Sequence, residues 1–439
     1  MRILHCADIH LGRRRLDGRL PEADFAAALG KIVARALEWK ADVFLIAGDL
    51  FDTPQIPPPV LRQAAAELAP LKKARIPVLA IEGNHDRLSS GATQPTWVRY
   101  LAEDGLLTLL STPFSAAGPL LTPYDAQTGQ GAWLEVGGVR FVGAGYLGAG
   151  TVRKVQALAA ALPDGNRPTV MLLHAGPEYF VGETGGFDPP TLAVLREKVA
   201  YLALGHIHRP MVHSGADGRP WALNPGSPEN CRLDEAETKG PRGWAEAEIQ
   251  PGALPGLALL RAEIVDCPRR PVERLDLDIT PFGNKLKEGP QAIQAAAVKA
   301  IVARGIPSHA VVRLFLRGEL NVGRMALEPH ALGDAIAQQT QVAGVEVNQD
   351  EIKLFTGRPG GARTPEGLTT AEIERLALEE LLRERPVEGL EEQVAQVAEF
   401  CAKLRELVAR GAGPEAILEL LETSELPAAM AKALEKTLI

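Results

Sequence analysis

Up to residue 250 the chain alternates short, mostly apolar runs with longer stretches of helical spacing. Arg2–Ala7, Val43–Ala47, Ile76–Ile81, Val139–Gly143, Thr169–Leu173 and Tyr201–Leu204 have the length and continuity of buried strands. Trp221–Asn224 reads as another. Glu22–Trp39 carries Phe25, Leu29, Ile32, Val33 and Leu37 on one helical face. Pro57–Pro59 opens a helix over Val60–Ala74, because proline is tolerated in a first turn. The β-α-β-α-β opening predicts a layered α/β domain with sheets between helices. In such folds, ligands collect on loops past the carboxyl ends of strands.

The pattern changes at Pro251–Pro255, a Pro/Gly-rich break. Beyond it, Pro271–Thr280 alternates apolar and charged residues, and Gln291–Arg304 has helical spacing. Ala310–Arg317 reads as a strand, Pro329–Gln339 as a short helix, and Val342–Phe355 again alternates. These segments predict a small α+β domain. Thr356–Thr364 has linker composition. Helices are expected over Glu372–Arg385 and Gly389–Arg410, with a final hairpin over Glu415–Glu422 and Pro427–Leu438. The expected division is 1–252, 256–356, a linker at 357–364, and a helical region at 365–439, in keeping with two or three domains for 439 residues.

Composition, at 46% hydrophobic and 23% charged, is that of an ordinary globular protein. No run reaches the roughly 18 apolar residues of a membrane span. The N-terminus enters a strand at once, which leaves no room for a signal peptide and points to the cytoplasm. Cys6, Cys231, Cys267 and Cys401 lie far apart, so neither a disulfide framework nor a zinc knuckle is expected. Cys6 shares strand parity with Asp8 and His10, but its expected place is a small buried strand position. Residues 365–439 hold sixteen Glu, no Asp and eight Lys or Arg, which accounts for the whole net charge of −8. The neutral body can still carry a local basic patch. The acidic tail is a poor surface for phosphates.

Five pieces carry the chemistry: Asp8-Ile9-His10, Gly48-Asp49, Gly83-Asn84-His85-Asp86, His174, and Gly205-His206-Ile207-His208. Each follows an expected strand. Residues two apart on a strand share a face, so Asp8 with His10, and His206 with His208, can each reach one ion. Asp49 has two oxygens and can bridge two cations. Asn84 adds a neutral oxygen and His174 another imidazole. The count allows four ligands per ion with Asp49 shared. Oxygen and nitrogen donors without a thiolate suit Mn²⁺, Fe²⁺, Zn²⁺ or Mg²⁺, and paired ions of this kind cut phosphate esters. His85 need not be a ligand. As an imidazole it can protonate a leaving oxygen, with Asp86 available to orient it.

Taken singly, Gly-Asp is equally a helix cap, and Gly-Asn-His-Asp a turn. Taken together, five pieces in order use five of the nine histidines, and chance loses its force. Arg13-Arg14-Arg15 follows the first piece and reads either as a contact for DNA phosphates or as a solvated charged loop.

This ordered set resembles the calcineurin-like metallophosphoesterase superfamily. Within it the chain resembles SbcD-like nuclease subunits, relatives of the meiotic-recombination break-repair nucleases. His5–Gly12, Ala47–Asp52, Asn224-Pro225-Gly226-Ser227 and the small domain carry the likeness, over about 1–355. The resemblance implies a layered β-sandwich nuclease domain flanked by helices, an α+β capping domain and C-terminal helices that dock on an SbcC-type ABC ATPase. It implies two ions, favouring Mn²⁺: one on Asp8, His10, Asp49 and His208, the other on Asp49, Asn84, His174 and His206. His85 would be the catalytic histidine. The implied activity is 3′→5′ exonuclease on double-stranded DNA with endonuclease action at hairpins, in break repair, by a homodimer. Relatives often carry His where this chain has Asp52. A small-molecule phosphodiesterase or phosphatase using the same ions is the alternative, and a scaffold that has lost catalysis a third. The chain has no Gly-X₄-Gly-Lys-Ser/Thr loop, so ATP would belong to the partner.

Overall fold

Val43–Ala47 (β2) is five apolar residues, and all five are buried. Such a strand must be covered on both faces, and its neighbours obey the same demand. The structure, a computed structural model, describes residues 1–87, 95–163, 167–178, 186–253, 258–282, 289–320, 327–354, 370–384, 394–409 and 420. They divide into two units, Met1–Lys353 and Leu354–Ile439.

The first unit is built on two six-stranded sheets. Arg2–Cys6 (β1), β2, Val78–Ile81 (β3) and Thr108–Leu109 (β4) run parallel in the first. The second contains Trp133–Val136 (β5), Val139–Tyr146 (β6), Thr169–His174 (β7), Tyr201–Gly205 (β8), Met211–Ser214 (β9) and Pro220–Asn224 (β10). Its order is β9-β10-β8-β7-β6-β5, with β10, β8, β7 and β6 parallel. The sheets bury their facing residues in one core, where Ile3, Leu45 and Ile81 join Phe141, Met171 and Leu202. His5 ties them together: its Nε2 donates to the Leu204 carbonyl at 3.0 Å, and Nδ1 accepts from the Tyr201 hydroxyl at 2.9 Å. The other face of the first sheet buries Leu4, Cys6, Phe44 and Ile46 under the helices Ala23–Trp39 (α1) and Pro58–Lys73 (α2). Cys6 therefore faces the helical layer, not the loops at the strand ends.

The first sheet is completed by Gly243–Ile249 (β11), antiparallel to β1, and by Leu259–Asp266 (β12), antiparallel to β11. This moves the expected boundary at 252–256. The break at 251–255 joins two strands of one sheet, and the chain leaves the body only after Asp266. The smaller part comprises Val272–Asp278 (β13), the helix Gly289–Ala303, Val311–Leu320 (β14), the helix Pro329–Thr340, and Gly344–Leu354 (β15). β13 and β14 are parallel, and β14 is central. Its own core includes Leu275, Ile293, Leu314 and Ile336. It meets the body through a small cluster of Leu20, Leu233 and Val311. Ion pairs flank the contact: Arg270–Asp24 at 2.7 Å, Arg19–Asp334 at 2.6 Å and Arg313–Glu237 at 2.8 Å.

In the second unit, the helices Thr370–Glu384 and Val394–Ala409 pack together, burying Val397, Ala398 and Phe400. The expected linker at 357–364 lies outside the described residues, as does the final hairpin apart from Leu420. Among the described residues, no helix is long and apolar enough to cross a membrane.

Candidate metal centre

The loops after β1 and β2 are zipped together by main-chain bonds. Asp8 N–H donates to Gly48 O (3.1 Å), His10 N–H to Asp49 O (3.1 Å) and Leu11 N–H to Leu50 O (2.9 Å). The backbone of the zipper, and of His206 beside it, is unusual. Asp8 (φ 54°), His10 (φ 52°), Asp49 (φ 53°) and His206 (φ 93°) all occupy the left-handed region that non-glycine residues avoid. Strain concentrated on four chemistry-bearing residues marks a functional site. Gly48 (φ 91°) permits a close approach: a side chain there would collide with the His174 ring and meet the Gly83 backbone.

The strand ends bring together all eight residues expected from the sequence. Asp8, His10 and Asp49 form one cluster of donors, and Asp49, His174 and His206 a second. Asn84 Oδ1 lies 3.1 Å from His174 Nε2, and His208 Nε2 lies 3.0 Å from His10 Nε2. His85 sits edge-on to His10, ring centres 4.8 Å apart, and its main-chain N–H donates to Asp49 Oδ1 at 2.8 Å. Asp49 thus stands between the two clusters, with Oδ2 3.2 Å from His174 Nε2 and 3.8 Å from His10 Nε2.

The donor set fits divalent cations. His208 Nδ1 has a carboxylate partner, Glu235 Oε1, at 2.7 Å, and His174 Nδ1 a carbonyl partner, Ala47 O, at 2.8 Å. Neither partner can donate, so these partners assign the ring protons to Nδ1. Nε2 of each then presents a lone pair. With both rings neutral, His174 Nε2 would set its lone pair against the Asp49 and Asn84 oxygens, and His208 Nε2 would turn its lone pair on His10 Nε2. Only a proton or a cation between them makes such contacts favourable. Charge follows the same logic. Burial raises the Asp8 pKa. Burial also works against the Asp49 carboxylate, but His174, His10 and His85 hold it below the usual range. Burial alone would lower His174, yet Asp49 and Asp8 lift it to about 9. Likewise His208, desolvated but bonded to Cys231 and Glu235, is lifted to about 11. His206, desolvated and beside His174, falls to about 4. The pocket retains positive charge, and the nitrogens that carry it as protons are the ones that can ligate a cation.

Three features depart from expectation. Asp86 does not orient His85. Its carboxylate accepts from the main-chain N–H groups of Leu50, Phe51 and Gly83 at 2.9–3.3 Å, while His85 Nδ1 bonds the Asp52 carbonyl at 2.7 Å. A turn-closing role wins because three amide donors converge on that carboxylate. The basic triplet also splits. Arg15 is buried between Asp24 and Glu229, Arg13 is held by Asp52 and the Cys231 carbonyl, and only Arg14 is exposed, beside Glu22. Finally, a thiol is present after all. Cys231 lies with His10 and His208 in one donor cluster, although burial raises its pKa and favours the neutral form.

Of the residues behind the donors, sequence reasoning singled out Asp52 without a role and missed Glu235 and Tyr146. Asp52 Oδ1 lies 3.2 Å from His10 Nδ1 and binds Arg13 at 2.7 Å. Glu235 backs His208. Tyr146, at the end of β6, sets its ring 5.4 Å from His206 and 6.2 Å from His174. For Glu235 the sole signal was an acidic residue shortly after Asn224-Pro225-Gly226-Ser227.

Residues 1–210 match the family model described as calcineurin-like phosphoesterase. The DNA double-strand break repair protein Mre11 of Archaeoglobus fulgidus is 30% identical over 285 residues, 64% of this chain and 61% of that protein. Its counterpart in Aeropyrum pernix is 29% identical over 290 residues, 64% of this chain and 65% of that one. The chain spans less than two thirds of the length of these relatives. The solved structure of a dimetal phosphatase from Danio rerio aligns with a TM-score of 0.34 at 14% identity, over 56% of this chain and 92% of that one, too loosely to carry an argument.

Proposed function

We propose a function from the premise that residues 1–210 are a calcineurin-like phosphoesterase domain with homologues among Mre11 break-repair proteins. The chain is a metal-dependent DNA nuclease of double-strand break repair. It acts as a 3′→5′ exonuclease on duplex ends and as an endonuclease at hairpins. It works as a homodimer with an SbcC-type ABC ATPase. The observation that carries this reading is the convergence of the donor atoms of Asp8, His10, Asp49, Asn84, His174, His206 and His208 at the strand ends, with His85 alongside.

Asp8, His10, Asp49 and His208 would hold one ion and Asp49, Asn84, His174 and His206 the other, with Mn²⁺ favoured. Such ions, when bound, supply Lewis acidity toward a phosphate ester and lower the pKa of water. The rest is the work of the chain's own residues. Asp49, pinned by the His85 main-chain N–H, keeps the two halves in register. His85 gives its Nδ1–H to the Asp52 carbonyl, so Nε2 is the free atom, which in the imidazolium form would pass its proton to the departing 3′ oxygen and return to a lone pair. The zipper between the β1 and β2 loops fixes the donors before substrate arrives, which is the preorganisation that electrostatic catalysis needs.

The test is incubation of the purified chain with Mn²⁺ and end-labelled duplex and hairpin DNA, beside His85→Ala. Stepwise degradation that is lost in the variant is expected. Absence of DNA cleavage, with turnover of a small phosphodiester, would instead favour the small-molecule reading.

A further inference from the structure

The short turn Leu233–Glu237 faces three ways. Leu233 is buried in the cluster with Leu20 and Val311, where the smaller part meets the body. Glu235 turns toward the centre, its Oε1 accepting from His208 Nδ1 at 2.7 Å. Glu237 turns outward, 2.8 Å from Arg313 on β14 and 3.5 Å from Arg274 on β13. One short turn therefore touches the interdomain core, a metal-site imidazole and the outer sheet.

Glu235 is itself fixed. Its Oε2 accepts from the Cys231 N–H at 2.8 Å and from Arg242 at 3.2 Å, and the Arg242 side chain is buried. A carboxylate on the far nitrogen of a ligating imidazole orients the ring, sets its tautomer and raises its basicity. His174 has a main-chain carbonyl in that role, and a carbonyl cannot be displaced without moving β2. His208 depends on a side chain carried by a surface turn.

We propose that Leu233–Glu237 is a strut: Glu235 is the positioning residue for His208, and the docking of the smaller part against this turn sets the cation affinity at the His10/His208 end of the centre. The proposal rests on the metal-centre reading above and goes beyond it, by making one end of the centre responsive to the position of the β13–β15 sheet.

The glutamate–arginine pair alone is weak. Glu237 is more than half exposed, and exposed pairs contribute little. The packing of Leu233 holds the turn, and the ion pairs set its register. Reversal of the charge at Arg313 should therefore loosen the strut; Arg313 also pairs with Glu346 on β15 at 2.7 Å, and a matching reversal elsewhere on β14 separates that loss within the sheet from the loss of the strut.

The experiment is calorimetric titration of the metal-stripped 439-residue chain with Mn²⁺. Wild type, Glu235→Gln, Arg313→Glu and the double variant are compared, with thermal melts to confirm folding. Arg317→Glu is the control, on the same strand but paired with Asp276 and Glu351, both at 2.9 Å. Glu235→Gln should weaken one of two binding steps by about 10- to 100-fold and leave the other unchanged. Arg313→Glu should weaken the same step several-fold, Arg317→Glu should not, and in the Glu235→Gln background Arg313→Glu should add nothing. Unchanged affinity in folded Glu235→Gln, or an Arg313→Glu effect that is absent or equal in both backgrounds, overturns the proposal. A wild-type chain that takes up no Mn²⁺ would overturn the metal-centre reading itself, a distinct result.

Discussion

The two ends of the centre are built differently. At the His174 end the supporting group is main chain: the Ala47 carbonyl fixes the ring at 2.8 Å, and β2 and β7 carry both partners. At the His10/His208 end the supports are side chains, Asp52 at 3.2 Å and Glu235 at 2.7 Å, each held by an arginine. The first end is as rigid as the sheets. The second can be tuned by substitution or by movement of a loop. On the proposed reading, a centre with one fixed and one adjustable end would keep its location while its affinity varied.

The severest way to break this comparison is to remove the backbone approach on which the fixed end depends. Gly48→Ala forces a side chain into the His174 ring at φ 91°. We expect cation binding and phosphodiester cleavage to fall to background, read by Mn²⁺ titration and a cleavage assay. Near-normal binding would show that the approach is not needed. Next, His85→Ala should lower kcat by about 10²- to 10⁴-fold, the usual worth of a proton-transfer group. Mn²⁺ uptake should hold. Equal losses of uptake and rate would place His85 among the ligands.

Asp86→Asn probes the joint between the two ends. It sets an amide N–H₂ against main-chain N–H donors that now find a carboxylate. A loss of roughly 1–3 kcal/mol is expected in denaturant unfolding, and no change would mean that water replaces the carboxylate.

A last effect lies beneath the centre and shows only in acid. Burial lowers the His5 pKa from 6.5 to about 3. The unfolded chain therefore takes up a proton below pH 6.5 that the folded chain refuses. His5's contribution is complete above that pH and is lost progressively as pH falls toward 3, by up to about 1.4 kcal/mol per unit. His5→Gln should flatten that part of the acid-unfolding curve, and an unaltered slope would place the acid sensitivity elsewhere.

Much of this was legible in the sequence because strand ends are local. An apolar run followed by Gly-Asp or Gly-His-X-His needs no knowledge of distant residues to be read as a strand and a donor. The supports were not legible for the opposite reason. Glu235 reaches His208 only after the chain has passed through β9 and β10 and come back, and Asp52 reaches His10 across a zipper between two loops. Glu235, one of several acidic residues in a polar turn, carries no pattern of its own, and Asp52, although it ends the Ala47–Asp52 stretch, shows no reach toward His10 in the sequence. The domain boundary failed similarly. Pro and Gly mark a hairpin between β11 and β12 as readily as they mark a linker, and the edge strand β12 alternates too weakly to be distinguished.

The most direct test of the central claim is a Mn²⁺ titration followed by electron paramagnetic resonance. If Asp49 stands between two cations, the fully loaded chain binds two equivalents and gives the signal of a spin-coupled pair, and Asp49→Asn abolishes the coupling. A single equivalent, or two that never couple, would contradict the account.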